Sequence, residues 1–91
     1  MADVIATIRI MPDSPETPLD KIEEDAKKLI EADKSIVHKT ERKPVAFGLN
    51  SIDIMFTRDE SLGSFDELEK SISDMENVSS VETIDVRRAI G

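Results

Sequence analysis

The stretch 35–57, SIVHKTERKPVAFGLNSIDIMFT, decides the fold. It holds two strand patterns in succession with no helical pattern between them. Ser35–Glu41 alternates, with Ile36, His38 and Thr40 against Val37, Lys39 and Glu41. Period two with β-branched residues marks a strand. Pro44 is expected to separate it from Val45–Thr57, the most apolar stretch of the chain. Parity changes inside that stretch: Val45, Phe47 and Leu49 are odd, whereas Ile52, Ile54 and Phe56 are even. One strand face requires one parity, so a β-bulge or local break is expected near Asn50 and Ser51.

Upstream, Asp3–Ile10 alternates as well. Val4, Ala6, Ile8 and Ile10 share one face, and Ile5, Thr7 and Arg9 share the other. After a connection rich in proline, Thr17 is placed to cap a helix. Pro18 suits its first position and Asp20 gives a spacing like that of a capping box. Leu19, Ile22, Ala26, Leu29 and Ile30 follow as an apolar stripe at the helical period. Glu23 with Lys27 and Glu24 with Lys28 form i,i+4 pairs in the favoured order.

Downstream, Asp59, Glu60 and Gly63 mark a polar loop. Ser64 and Glu67 form a second capping box ahead of the stripe Phe65, Leu68, Ile72 and Met75, with Asn77 as the stop. Ser80–Val86 reads as a short final strand, followed by a tail, Arg87–Gly91.

The order strand, helix, strand, strand, helix, strand predicts an α+β fold. It is the ferredoxin-like βαββαβ sandwich, a four-stranded antiparallel sheet with two helices on one face. Ninety-one residues allow one domain, expected to span 1–91. The other sheet face is left open or put to use.

Composition excludes several functions. Apolar runs reach three residues, while a membrane span needs roughly 20, so no membrane partner is expected. No basic-then-apolar start suggests a secretory signal, and a cytoplasmic protein is expected. Without cysteine there is no disulfide, thiolate nucleophile or cysteine-bound metal, and one histidine cannot build a multi-histidine site. Twelve Lys and Arg against twenty Asp and Glu give a formal charge of −8. Phosphate binding needs a basic patch, so direct nucleic-acid binding is not expected. An RNA-binding sheet also needs exposed aromatic rings, and the chain has three Phe with no Tyr or Trp. Such acidity suits a basic protein partner, or serves only as a solvated face.

Three glycines, Gly48, Gly63 and Gly91, cannot form a phosphate-binding loop. His38 reads as a satisfied or half-exposed strand histidine and Asp59 with Glu60 as a solvated loop. No catalytic residue, metal or cofactor is expected, and the protein is not expected to be an enzyme. Asn77-Val78-Ser79 matches a glycosylation acceptor, discounted for want of a signal peptide. That leaves Pro44–Asn50. Gly48 after an aromatic residue permits a close backbone approach or a bulge. Phe47 there is either a core residue or an apolar knob for a partner's pocket.

Ala46-Phe47-Gly48-Leu49, the ending Val81–Val86 followed by Arg87-Arg88, and the opening strand closed by Ile10-Met11-Pro12 resemble the archaeal translation elongation factor 1-beta family. The resemblance covers nearly the whole chain. That family is the small counterpart of the catalytic domain of the eukaryotic guanine-nucleotide exchange factor. The resemblance implies the same ferredoxin-like fold. It also implies release of GDP from translation elongation factor 1-alpha, so that GTP binds and aminoacyl-tRNA delivery resumes. It implies partner-binding roles for Phe47, Gly48 and Leu49. Eukaryotic relatives also place a lysine near the C-terminus, in the magnesium and phosphate region of the GTPase. Ile90 stands next to the terminal residue here, so that role passes to Arg87 and Arg88. The partner is then elongation factor 1-alpha in its GDP-bound and nucleotide-free forms, and this chain acts as a monomer. The alternative is a regulatory, ligand-sensing module of the same fold that self-associates.

Overall fold

The computed structural model describes residues 3–45, 48–63 and 65–89. Among them the order is β1 (Asp3–Pro12), α1 (Leu19–Ala32), β2 (Ile36–Pro44), β3 (Asn50–Asp59), a 3₁₀ turn (Glu60–Leu62), α2 (Asp66–Ser73) and β4 (Val78–Ala89). The strands form one antiparallel sheet in the order β2-β3-β1-β4. This is the expected βαββαβ fold. The central strands are β1 and β3, and the outer ones are β2 and β4.

The core lies between helices and sheet. Ala6, Ile8 and Ile10 from β1 and Ile52, Ile54 and Phe56 from β3 are fully buried. Ile22, Ala26 and Ile30 of α1, with Leu68 and Ile72 of α2, cover them. Phe65 packs edge-on to Phe56 with ring centroids 6.0 Å apart.

The parity change has a plain cause. β2 ends at Pro44 and β3 begins only at Asn50, and between them the Val45 N–H donates to the Leu49 carbonyl at 2.8 Å. Gly48 has φ +75°, a backbone conformation that a side chain resists, although a Cβ there would meet no neighbour. Pro44 ends β2, paired with Asn50. β2 carries an irregularity of its own: register shifts between Val37 and Lys39. His38 is the extra residue. Val37 therefore packs toward the core, while Lys39 lies opposite Met55 on the open face.

Both helix starts differ from the sequence expectation. Pro18, not Thr17, caps α1, and no side chain bonds the free N–H groups. The Thr17 hydroxyl is engaged in the preceding turn, donating to Asp13 at 3.0 Å. Phe65 caps α2, again without a side-chain bond; Ser64 lies outside the described residues. α2 stops at Ser73 rather than Asn77. Asn77 instead sits at φ 69° in the turn into β4, where its carbonyl accepts from the Asp13 N–H.

β4 is longer than the sequence pattern suggests. Apolar alternation fades after Val86, yet pairing with β1 continues through Arg87 and Arg88 to Ala89. A register shift skips Ile84, which turns onto the open face while Val81 packs toward the core.

Candidate functional site

Two groups of residues were expected to meet a partner, and the sheet holds them at opposite ends. The turn bearing Gly48 and Leu49 lies beyond Asn50, where β1 finishes at Pro12. Gly48 is exposed and Leu49 half-buried. Phe47 lies outside the described residues. Arg87 and Arg88 lie opposite Ile5 and Val4, where β1 begins. From Asn50 to Thr57, the β3 neighbour of Ile5, is seven residues, or about 23 Å of strand. The long axis of the protein is 42 Å.

The two arginines face opposite ways. Arg87 shares the open face with Asp85, its partner at 3.0 Å. Arg88 lies on the helix side and is gripped by Glu60 of the 3₁₀ turn, a contact that raises its pKa. Asp59 caps the same turn, accepting from the Ser61 N–H at 2.8 Å. This bond to its charged form lowers the Asp59 pKa.

Sequence reading missed a buried cation at this end. Arg58 is 6% exposed. Its guanidinium lies 5.2 Å from the centre of the Phe65 ring and 3.1 Å from Asp33 at the end of α1. It also donates to the Leu62 and Gly63 carbonyls at 3.3 and 3.5 Å. One side chain thus ties together the end of α1, the 3₁₀ turn and the start of α2.

The open face carries a second buried charge. Asp53, in the middle of β3, is 4% exposed. Arg9 grips both its oxygens at 3.0 and 3.2 Å, which raises the Arg9 pKa. The Ser51 hydroxyl donates to Asp53 at 3.2 Å and Lys43 approaches at 3.7 Å. Lys39 and Lys43 flank Glu41 and lower its pKa, chiefly through the hydrogen bond from Lys39. A groove of about 220 Å³ runs over this network, floored by Thr7, Met55 and Ile84. Every charge in it has an opposite neighbour, so the network builds the face rather than leaving a reactive group free. No cluster of three potential metal ligands occurs among the described residues. His38 is in hydrogen-bond contact with the Thr57 hydroxyl on the neighbouring strand.

The position of Arg87 and Arg88 changes one expectation. Read as a tail, residues 87–91 should be dispensable for folding. As strand, residues 87–89 supply rungs to β1. Deleting 87–91 will therefore destabilise the protein by about 1–3 kcal/mol, from hydrogen bonds worth about 1 kcal/mol each. Thermal melts of full-length and truncated protein check this; equal midpoints would refute it.

The sequence matches the EF-1 guanine nucleotide exchange domain over residues 5–89. It is 36% identical to elongation factor 1-beta of Methanothermobacter thermautotrophicus over 88 residues, covering 97% of this chain and 98% of that one. It is 40% identical to elongation factor 1-beta of Pyrococcus horikoshii over 87 residues, covering 94% of each. Among solved structures, the ACT domain of a GTP pyrophosphokinase from Chlorobium tepidum superimposes with a TM-score of 0.63 at 14% identity. That match covers 90% of this chain and 99% of that chain. The C-terminal domain of the MgtC protein from Mycobacterium tuberculosis gives 0.67 at 8%, covering 94% and 87%. At such identities these two speak for the fold alone.

Proposed function

Because this chain belongs to the EF-1 guanine nucleotide exchange domain family, we infer that it promotes exchange of GDP for GTP on translation elongation factor 1-alpha. The observation that carries this is the family match over residues 5–89, which takes in both ends of the sheet. Exchange makes and breaks no covalent bond, so the protein is a factor rather than an enzyme. The rate of labelled-GDP release from purified elongation factor 1-alpha, with and without this chain, tests the reading. An unchanged rate would overturn it.

The physics is linkage. A partner that binds the nucleotide-free GTPase more tightly than the GDP form must weaken GDP by the same factor. This chain supplies two contact regions for such discrimination. In this reading Phe47, which with Gly48 and Leu49 lies between β2 and β3 in sequence, supplies an apolar contact for a pocket of the GTPase. Arg87 and Arg88 present cations at the other end, where they compete with magnesium for the phosphate region. Arg88 must let go of Glu60 to do so. Since the two regions lie about 23 Å apart along the strands, they engage separate parts of the GTPase. Residues 1–91 act as one exchange unit, in the cytoplasm, one copy per GTPase, with no membrane or nucleic acid of their own.

A GTPase that delivers tRNA must carry basic surface for the phosphates. Against a chain of formal charge −8, the opposite fields speed encounter, and salt screens them over a Debye length of about 8 Å at 0.15 M. Raising monovalent salt from 0.05 to 0.5 M should lower the association rate about tenfold and change dissociation far less. Stopped-flow binding reads this. An association rate indifferent to salt would mean that the acidity serves solubility only.

A further inference from the structure

The formal charge of −8 is not spread evenly. Across the central open face, Arg9, Lys39, Lys43 and Arg87 balance Glu41, Asp53, Glu82 and Asp85. The excess acid therefore falls to the helix side, the loops and the ends of the sheet. On the helix side most cations are already engaged. Lys27 and Lys28 pair within α1, Arg42 reaches Asp20 and Glu23, and Arg58 and Arg88 are held by Asp33 and Glu60.

A groove of about 230 Å³ opens between α1 and α2 on that side. Leu29, Ala32 and Leu68 line it, with Ser71, Asp33 and Glu67. Asp33 is compensated by Arg58, whereas Glu67 has no ionic partner among the described residues. Position adds to the argument. Arg58 contacts the end of α1, the 3₁₀ turn and Phe65, and the same turn holds Arg88. The groove therefore adjoins the Arg88 end of the sheet.

We propose that this groove is a docking site for a lysine or arginine side chain on the basic surface of the GTPase. The aliphatic stem lies along Leu29, Ala32 and Leu68, and the cation reaches Glu67. Long basic side chains behave in this way, covering apolar surface while the charge meets a carboxylate. The proposal rests on the exchange reading and extends its interface from Arg88 around onto the helices.

The test uses the full chain and nucleotide-free elongation factor 1-alpha. Binding is measured by calorimetry and GDP release separately, at saturating exchange factor. Glu67→Lys should weaken binding tenfold or more, Glu67→Gln about threefold, and both should leave saturated GDP release within twofold. Glu24→Lys is the charge-matched control, since Glu24 is well exposed on α1 and lines no part of the groove. It should weaken binding less than threefold. Equal losses from Glu67→Lys and Glu24→Lys would assign the effect to net charge and overturn the proposal, as would no loss at Glu67. Should Glu67→Lys fail to fold, as its melt would reveal, Glu67→Gln against Glu24→Gln decides in the same way. A wild-type chain that binds the GTPase without speeding GDP release would instead overturn the exchange reading.

Discussion

Phe47→Ala should slow GDP release from elongation factor 1-alpha about 100-fold while leaving the melting temperature within a few degrees of wild type. Val45 and Leu49, on either side of Phe47 in sequence, are joined by a backbone hydrogen bond, and Gly48 holds a left-handed backbone. Among the described residues the core is built by Phe56 and isoleucines such as Ile8, Ile54 and Ile72, with Phe65 packed against it. An aromatic anchor in a partner's pocket contributes roughly 3 kcal/mol to binding, which is about two decades in rate. If instead Phe47→Ala lowers stability by about 3–5 kcal/mol, as for a core aromatic, the ring belongs to the core and the interface assignment fails.

Arg58→Ala should produce the largest loss of stability among the charged residues, about 3 kcal/mol, or a midpoint lower by roughly 12 °C or more. The guanidinium is almost fully buried, so its removal strips the Leu62 and Gly63 carbonyls of a donor and leaves Asp33 uncompensated. It also takes away the cation over Phe65. Arg58→Met keeps the apolar stem against that ring and should recover part of the loss. Thermal and urea melts measure both. A loss under about 1 kcal/mol would mean that water replaces the guanidinium at little cost.

Periodicity made the element order legible, because alternation in Asp3–Ile10 and the stripe from Leu19 to Ile30 record directly which side chains are buried. Boundaries were less legible where pairing, not burial, holds the strand. Arg87-Arg88-Ala89 carries no apolar alternation, yet β1 supplies its hydrogen-bond partners. The capping residues misled for a related reason. A hydroxyl bonds whatever acceptor the turn offers, and for Thr17 that is Asp13. Arg58 and Asp53 were invisible as special residues, since their meaning depends on register. Asp53 stands as one acid amid an apolar strand, and only the pairing of Arg9 with Asp53 across β1 and β3 makes it half of a partly buried ion pair. A lone charge at odd parity in the strand that also holds Ile52, Ile54 and Phe56 was the available signal. As for the candidate site, the short block Ala46–Leu49 and the pair Arg87-Arg88 were identified by resemblance. That Gly48 and Leu49 of the block lie at the opposite end of the sheet from Arg87 and Arg88 followed only from the strand pairing.

The irregularities at His38 and Ile84 fall on β2 and β4, the two outer strands of the sheet. A regular, apolar outer strand is a template on which another chain's strand can add, and repeated addition leads to fibrils. Here extra residues interrupt each outer strand, one in β2 and two in β4, and break the even spacing of donors and acceptors. Charged side chains sit beside the interruptions at His38 and Ile84, Lys39, Glu41 and Lys43 on one strand and Glu82, Asp85 and Arg87 on the other. An incoming strand could match the ladder for only a few residues before losing step. These interruptions thus protect a small, half-open sheet from polymerising along its own edges.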